Sequence, residues 1–235
     1  MRERRFSILS TSSLPFERIQ SIPEMVDLSV VPFIKIIPRP SVELLPEISM
    51  LASEKHIVVF TSAHAVKFVA GMLKNKPEWK IYCTRNETRI AVINWFGSES
   101  IADFASNAMM LSHHMIRDGV KEAVFFCGDQ RMDVLPDILA KYGVGLTEMI
   151  VYDTSLTAVQ LETQPDAILF FSPTAVRSFF SMNSLSGATR IFAMGKTTAG
   201  ALKEHTSEPI TISPESDKVF VLNMAVEYAA SHPIT

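Results

Sequence analysis

The sequence predicts an α/β protein of two similar lobes, each a parallel sheet flanked by helices, joined by a two-stranded β connector. Three observations carry this. Short apolar β-rich runs alternate with helical patterns along nearly the whole chain, the signature of parallel sheets covered on both faces. The pattern repeats at an offset of 110 residues: His56-Ile57-Val58-Val59-Phe60-Thr61-Ser62-Ala63-His64-Ala65-Val66-Lys67 aligns with Asp166-Ala167-Ile168-Leu169-Phe170-Phe171-Ser172-Pro173-Thr174-Ala175-Val176-Arg177. The same offset aligns Lys80-Ile81-Tyr82 with Arg190-Ile191-Phe192, and Thr88 with Thr198. Finally, two longer β-rich runs, 28–37 and 146–154, match in length and would pair well.

Along the chain, Phe6-Ser7-Ile8-Leu9 reads as a first strand and Pro15 to Gln20 as a weak helical turn. The run 28–37 contains Pro32, which suits an edge strand or the start of a connector. Pro38 and Pro40 break it, and Ser41 opens a helix to about Ser53. Strand 56–60, helix 63–74, strand 80–83 and helix 86–96 follow. The stretch from Ser98 to Phe104 is ambiguous. Ser106 is read as the cap of a helix running to Arg117. Strand 122–127 and helix 131–142 come next, with Gly143 as the C-terminal stop. After the second β-rich run the pattern predicts a helix near 156–163, strand 167–171, helix 173–183, strand 190–194, helix 196–205, strand 209–212 and helix 216–231. The first copy lies between the two long runs and the second follows them. The expected lobes are therefore 37–155, and 1–36 joined to 156–235, with matching strand-to-helix turns lining a cleft for one large polar ligand.

Composition narrows the function classes. The chain has 235 residues and is 47% hydrophobic, enough for two buried cores. Its net charge of −3 gives no nucleic-acid footprint. Met1-Arg2-Glu3-Arg4-Arg5 is basic but precedes no apolar run of signal-peptide length, and no stretch approaches a membrane span. The two cysteines, Cys83 and Cys127, each end an apolar run and read as reduced, half-buried residues rather than a disulfide. A cytoplasmic protein without membrane contact is the expectation.

The candidate chemistry sits at strand-to-helix turns. Ser62 and Ser172 each occupy an N-cap position, where a side-chain oxygen satisfies a free backbone N–H for about 1 kcal/mol. Capping alone would explain them. The alternative is that the remaining N–H groups and the helix dipole attract an anion at the carboxyl ends of the strands. Thr88 and Thr197-Thr198 take the equivalent place after the next strand of each copy. Gly195 would let a ligand approach the backbone, whereas the first copy has Arg85 there. A third junction is Cys127-Gly128-Asp129-Gln130-Arg131. Gly128 could be a plain turn residue and Asp129 a cap. Arg131 could be a solvated charge or could grip a carboxylate with two hydrogen bonds. Tyr152 lies on the second β-rich run, either packed structurally or available as a proton donor. His113-His114 lacks metal-ligand spacing, and His56, His64, His205 and His232 form no triad with a serine. There is no phosphate-binding glycine loop, dinucleotide fingerprint or metal motif, so no cofactor and no metal are implied.

These stretches resemble the uroporphyrinogen-III synthase family from about Ile57 to the C-terminus. The most specific pieces are Val59 to Val66, Phe126 to Arg131 leading to Leu135-Pro136, and Gly143 running on to Val151-Tyr152-Asp153-Thr154. Phe170 to Val176 and Met194 to Leu202 complete the set. The resemblance implies an enzyme, a hydro-lyase, that closes the linear tetrapyrrole hydroxymethylbilane to uroporphyrinogen III with inversion of ring D, without a cofactor. It implies Tyr152 as the group assisting departure of the hydroxyl. Thr61, Ser62, Ala63, Gly128, Arg131, Ser172, Pro173, Thr197 and Thr198 fall at its substrate-binding positions. It further implies a monomer meeting hydroxymethylbilane synthase at most transiently. Two departures stand out: Ser10-Thr11 where the family commonly has Thr-Arg, and Thr84-Arg85 in place of the first lobe's glycine turn. A non-catalytic or degenerate two-lobe homologue binding a polyanionic small molecule is the alternative.

Overall fold

A computed structural model describes residues 4–232. Packing divides the chain into two units, one of residues up to Lys35 together with Ser155 onward, the other Ile36–Thr154.

The first unit holds β1 (Phe6–Ser10), α1 (Phe16–Gln20) and β2 (Val26–Val30). Later in the chain it adds β9 (Ala167–Phe170), α7 (Pro173–Phe180), β10 (Arg190–Ala193), α8 (Lys196–Lys203), β11 (Ile210–Ile212) and α9 (Lys218–Ser231). Its five strands lie in the order β11-β10-β9-β1-β2, and every pairing is parallel. Alternation splits the side chains between two cores. Phe6, Ile8, Leu169 and Phe192 pack on one face with Val221 and Leu222 of α9. Leu9, Ile168, Phe170 and Ile191 pack on the other with Val176 and Phe179 of α7. Burying each such phenylalanine contributes about 1.5–3 kcal/mol.

The second unit contains β3 (Ile34–Pro38), whose first residues belong to the other unit, then α2 (Ser41–Ala52), β4 (Ile57–Phe60) and α3 (Ala63–Met72). It continues with β5 (Lys80–Thr84), α4 (Glu87–Phe96), β6 (Ile101–Ala105), α5 (Ala108–Arg117), β7 (Glu122–Gly128), α6 (Val134–Lys141) and β8 (Gly145–Leu156). The strand order is β3-β8-β7-β4-β5-β6. The chain passes between units within β3 and again within β8, which are neighbours in this sheet. Val58, Phe60, Ile81, Val124 and Phe126 face one core; Val59, Tyr82, Phe125 and Cys127 face the other. The 110-residue offset holds to the residue: β4 begins at Ile57 and β9 at Ala167, α3 at Ala63 and α7 at Pro173, β5 at Lys80 and β10 at Arg190.

Several expectations need correction. The run 28–37 is two strands in different sheets, because Pro32 lacks the N–H a continuous strand would need there. No helix forms at 156–163. β8 continues to Leu156, Thr157 donates its N–H to the Phe33 carbonyl at 3.0 Å, and the Asn183 side chain holds the Leu161 N–H and the Val159 carbonyl. These bonds take the backbone groups a helix would use. The α5 cap is Asn107, whose Oδ1 accepts the Met110 N–H at 3.0 Å; Ser106 stands one residue outside. The ambiguous stretch is a short 3-10 turn followed by β6. α6 starts only at Val134, after a turn in which Arg131 N–H donates to Gly128 O. Both cysteines are fully buried, and burial pushes each thiol up to about 11.

Candidate functional site

Each sheet has one place where the strand order reverses, and ligands of open α/β sheets bind outside the carboxyl ends of the strands at that place. In the second unit it lies between β4 and β7. β4 there leads into Thr61, Ser62 and Ala63, and β7 ends at Gly128. Ser62 is extended, and its Oγ accepts the His64 N–H at 3.2 Å, so it does cap α3.

Tyr152 reaches the same place because of a β-bulge. β8 pairs Ile150 with Cys127 but Tyr152 with Gly128, so Val151 is an extra residue. A bulge turns the next side chain to the opposite face. Ile150 accordingly packs with the core on one face, while both Val151 and Tyr152 pack with the core on the other. The Tyr152 hydroxyl donates to Ser62 Oγ at 3.1 Å. The ring lies across Gly128 so closely that a Cβ there would sit 2.3 Å from Cε2 and 2.4 Å from Cζ. His64 and Phe68, one turn apart on α3, meet the ring edge-on at centroid distances of 6.1 and 6.0 Å. Burial raises the phenol's pKa and the Ser62 hydrogen bond partly offsets this, so Tyr152 is a neutral phenol at physiological pH.

The backbone around Tyr152 is fastened by Asp129, Asp153 and Arg39. Asp129 donates its N–H to the Tyr152 carbonyl at 3.1 Å, and its Oδ1 accepts the Thr154 N–H at 2.7 Å. Asp153 is gripped by Arg39 through Nη2 at 2.8 Å and Nε at 3.0 Å. The hydrogen bond to Asp153 raises the Arg39 pKa. Of these residues Asp129 and His64 carried a local sequence signal, the first as a cap candidate after Gly128 and the second by its place two positions beyond Ser62, and Asp153 stands in the family-like stretch. Phe68 and Arg39 are brought in by tertiary packing alone.

Arg131 is near this junction but already occupied. Glu148 takes its Nε and its Nη2, the latter at 2.9 Å, and Asp133 takes Nη1. The Glu148 hydrogen bond raises its pKa. The fork that could grip a ligand carboxylate braces β8 against the turn after β7.

In the first unit the order reverses between β1 and β9. Ser172 caps α7, accepting the Ala175 N–H at 3.1 Å, with Pro173 in the first helical turn. Thr11 is fully buried, its N–H and Oγ1 both donating to the Leu169 carbonyl, at 3.1 and 2.7 Å. After β10, Gly195 caps α8 with no side-chain bond, and open space surrounds the site of its missing Cβ. The first N–H groups of α8 thus have no side-chain acceptor from their own cap, a setting that draws anions. Thr197 is exposed there and Thr198 buried. Ser62, Gly128 and Tyr152 therefore come together in one unit, while Ser172, Pro173, Thr197 and Thr198 share the carboxyl edge of the other sheet.

A family model described as uroporphyrinogen-III synthase HemD matches residues 26–218. Among solved structures, the uroporphyrinogen-III synthetase of Helicobacter pylori superposes with a TM-score of 0.65 at 17% identity, over 95% of this chain and 99% of that one. A mutant uroporphyrinogen III synthase from the extremely thermophilic bacterium Thermus thermophilus gives 0.66 at 14% identity, over 96% and 99%. At such identities the likeness is one of fold. No curated protein matches the sequence.

Proposed function

The chain belongs to the uroporphyrinogen-III synthase family, and from that premise we propose that it cyclises hydroxymethylbilane to uroporphyrinogen III, inverting ring D, as a lyase that needs no cofactor. The observation that carries the reading is the neutral Tyr152 phenol, hydrogen-bonded to Ser62 and seated on Gly128 where the strand order reverses.

The reaction begins with loss of the substrate's hydroxyl. The C–O bond breaks, its electron pair leaves with oxygen, and the Tyr152 proton completes a water molecule. The Ser62 hydroxyl, which pulls the phenol's pKa down, steadies the phenolate left behind. The resulting azafulvene is attacked by the fourth ring at its substituted carbon, forming the spiro intermediate. That intermediate opens and recloses with the ring turned over. The proton released as the ring regains aromaticity restores the phenol, so the balance is substrate to product plus water.

After the first step the species is cation-like and needs a fixed geometry more than a strong acid or base. The substrate's carboxylates call for anion binders, and backbone N–H groups can serve in a chain that carries no excess of basic residues. We assign that role to Thr61, Ser62 and Ala63 in the second unit, and to Ser172, Pro173, Thr197 and Thr198 in the first. Gly128 serves by making room for the tyrosine. Arg131 would join them only by giving up Glu148. A cytoplasmic monomer that meets hydroxymethylbilane synthase transiently completes the proposal.

The test supplies hydroxymethylbilane in place from its upstream synthase and reads the product isomer by chromatography. Type III product is expected. Only the spontaneous type I isomer would sink the reading and leave a binding homologue.

A further inference from the structure

We propose that Arg85 and Arg89 form a carboxylate-gripping pair that takes an acidic side arm of the tetrapyrrole beside Ser62; this rests on the synthase reading. Both arginines are exposed, and both guanidinium groups lie against one ring, Phe104 at the end of β6. Arg89 stands 4.1 Å and Arg85 5.7 Å from its centroid. Among the described residues neither has a carboxylate within ion-pair distance. Asp103, the acid beside Phe104, is held instead by Arg117, His114 and the Phe104 N–H. Every other arginine in the second unit has an acid partner: Arg39 has Asp153, Arg117 has Asp103 and Asp118, and Arg131 has Glu148 and Asp133.

A guanidinium stacked on an aromatic face keeps its N–H edges free and loses part of its rotational freedom in advance. Such an edge matches a carboxylate with two parallel hydrogen bonds. The pair is also in the right place. β4 and β5 are neighbours with Phe60 opposite Cys83, and Ser62 and Arg85 each lie two residues beyond that pair. The two turns are therefore about one strand spacing, or 5 Å, apart at the backbone, and the guanidinium groups reach from there over Phe104 on β6, the strand beyond β5. Arg85 is fixed at its backbone, donating its N–H to the Ala105 carbonyl at 2.8 Å. The first-turn N–H groups of α4 add to the field, since Asn86 gives that helix no side-chain cap. The internal repeat sharpens the point: Arg85 and Arg89 correspond to Gly195 and Ala199. One copy offers an open glycine turn, the other two cations on an aromatic seat.

The test measures binding of uroporphyrin III, the oxidised octacarboxylate product, by fluorescence, alongside KM for hydroxymethylbilane. Arg85→Gln with Arg89→Gln is expected to weaken uroporphyrin binding about tenfold, as loss of bidentate contacts predicts, and to flatten its salt dependence. The loss should fall on KM more than on kcat. The double lysine variant should recover only part of it, because a point charge lacks the fork. Lys121→Gln, on the amino edge of the sheet, controls for net charge and should change nothing. A double glutamine variant that binds uroporphyrin within twofold of the unaltered protein overturns the proposal, as does an unaltered protein that does not bind it. Type III product with binding unaffected by the double variant removes the arginine pair and spares the synthase reading. Type I product alone, with binding still lost in the variant, removes the synthase reading and leaves a polycarboxylate site.

Discussion

Gly128→Ala tests how Tyr152 is positioned. Gly128 is not among the glycines with positive φ, so alanine brings no backbone strain. The conflict is with the tyrosine alone, at 2.3 Å from Cε2, 2.4 Å from Cζ and 2.8 Å from the hydroxyl oxygen. Carbon atoms in contact rest about 3.5–4.0 Å apart, so the ring must retreat by more than about 1 Å. Overpacking of this kind costs about 1–3 kcal/mol, and losing the bond to Ser62 adds about 1 kcal/mol. A catalytic group displaced by about 1 Å slows turnover about 100-fold. The assays are urea unfolding and the rate of type III product formation. A double-mutant cycle isolates the cause: in a Tyr152→Ala background the added methyl meets no ring, so the stability penalty of Gly128→Ala should nearly vanish. A Gly128→Ala protein with turnover within twofold of the parent, or a penalty equal in both backgrounds, would refute the reasoning.

Tyr152→Phe keeps the ring and removes the proton, so turnover should fall at least about 10²-fold with stability changed by about 1 kcal/mol; an unchanged rate removes the phenol from the mechanism. Ser62→Ala and Ser172→Ala each remove a cap and should each lower the unfolding free energy by about 1 kcal/mol, which urea midpoints will show; equal midpoints in parent and variants would mean the caps do not matter. Tyr82 donates to Asp118 at 2.9 Å, and its burial, followed by that bond and the Asp118 charge, pushes its pKa up from 10.0 to about 12. A folded pKa above the unfolded one gives stability that is complete below pH 10 and drains away as pH climbs towards 12. Tyr82→Phe should therefore flatten the fall in urea midpoint across that window, and a parallel decline in parent and variant would count against it.

The repeated part of the fold was readable because apolar periodicity and cap chemistry are local. Ile57 to Phe60 followed by Ser62, and Ala167 to Phe170 followed by Ser172, announce a strand and a capped helix without help from elsewhere. Gly143, at φ +73, likewise stops α6 by its own geometry. What stayed hidden depends on distant partners. The helix expected at 156–163 lost to Phe33 and Asn183, which lie far away in sequence and claim its backbone groups. Arg131 looked free because Glu148 is seventeen residues on and becomes adjacent only when β7 and β8 pair. The bulge at Val151 leaves no mark in the alternation, yet it decides which face Tyr152 joins.

The repeat runs on through β6 and β11 to α5 and α9, whose caps Asn107 and Asp217 keep the same offset, and ends there; the strand orders explain why. Read from the far edge, the corresponding strands run β6-β5-β4-β7-β8, with β3 added beyond β8 as a sixth, and β11-β10-β9-β1-β2. The arrangements are the same, but β7 and β8 follow β6 directly in the chain, whereas their counterparts β1 and β2 come from the N-terminal end. The two reversal points are therefore assembled from unlike pieces. One draws on Gly128 and a twelve-residue strand that brings Tyr152 opposite Gly128 at the carboxyl end of β7. The other draws on Thr11 and on β2, five residues long and closed by Val31-Pro32, with no tyrosine in it. Strand, cap and helix recur in both units, while the proton donor we propose, Tyr152, lies on a strand outside the recognisable repeat. Moving a tyrosine into the first unit would not copy the site, because Thr11 already gives both its donors to the Leu169 carbonyl and β2 has no bulge against β1 to turn the ring inward.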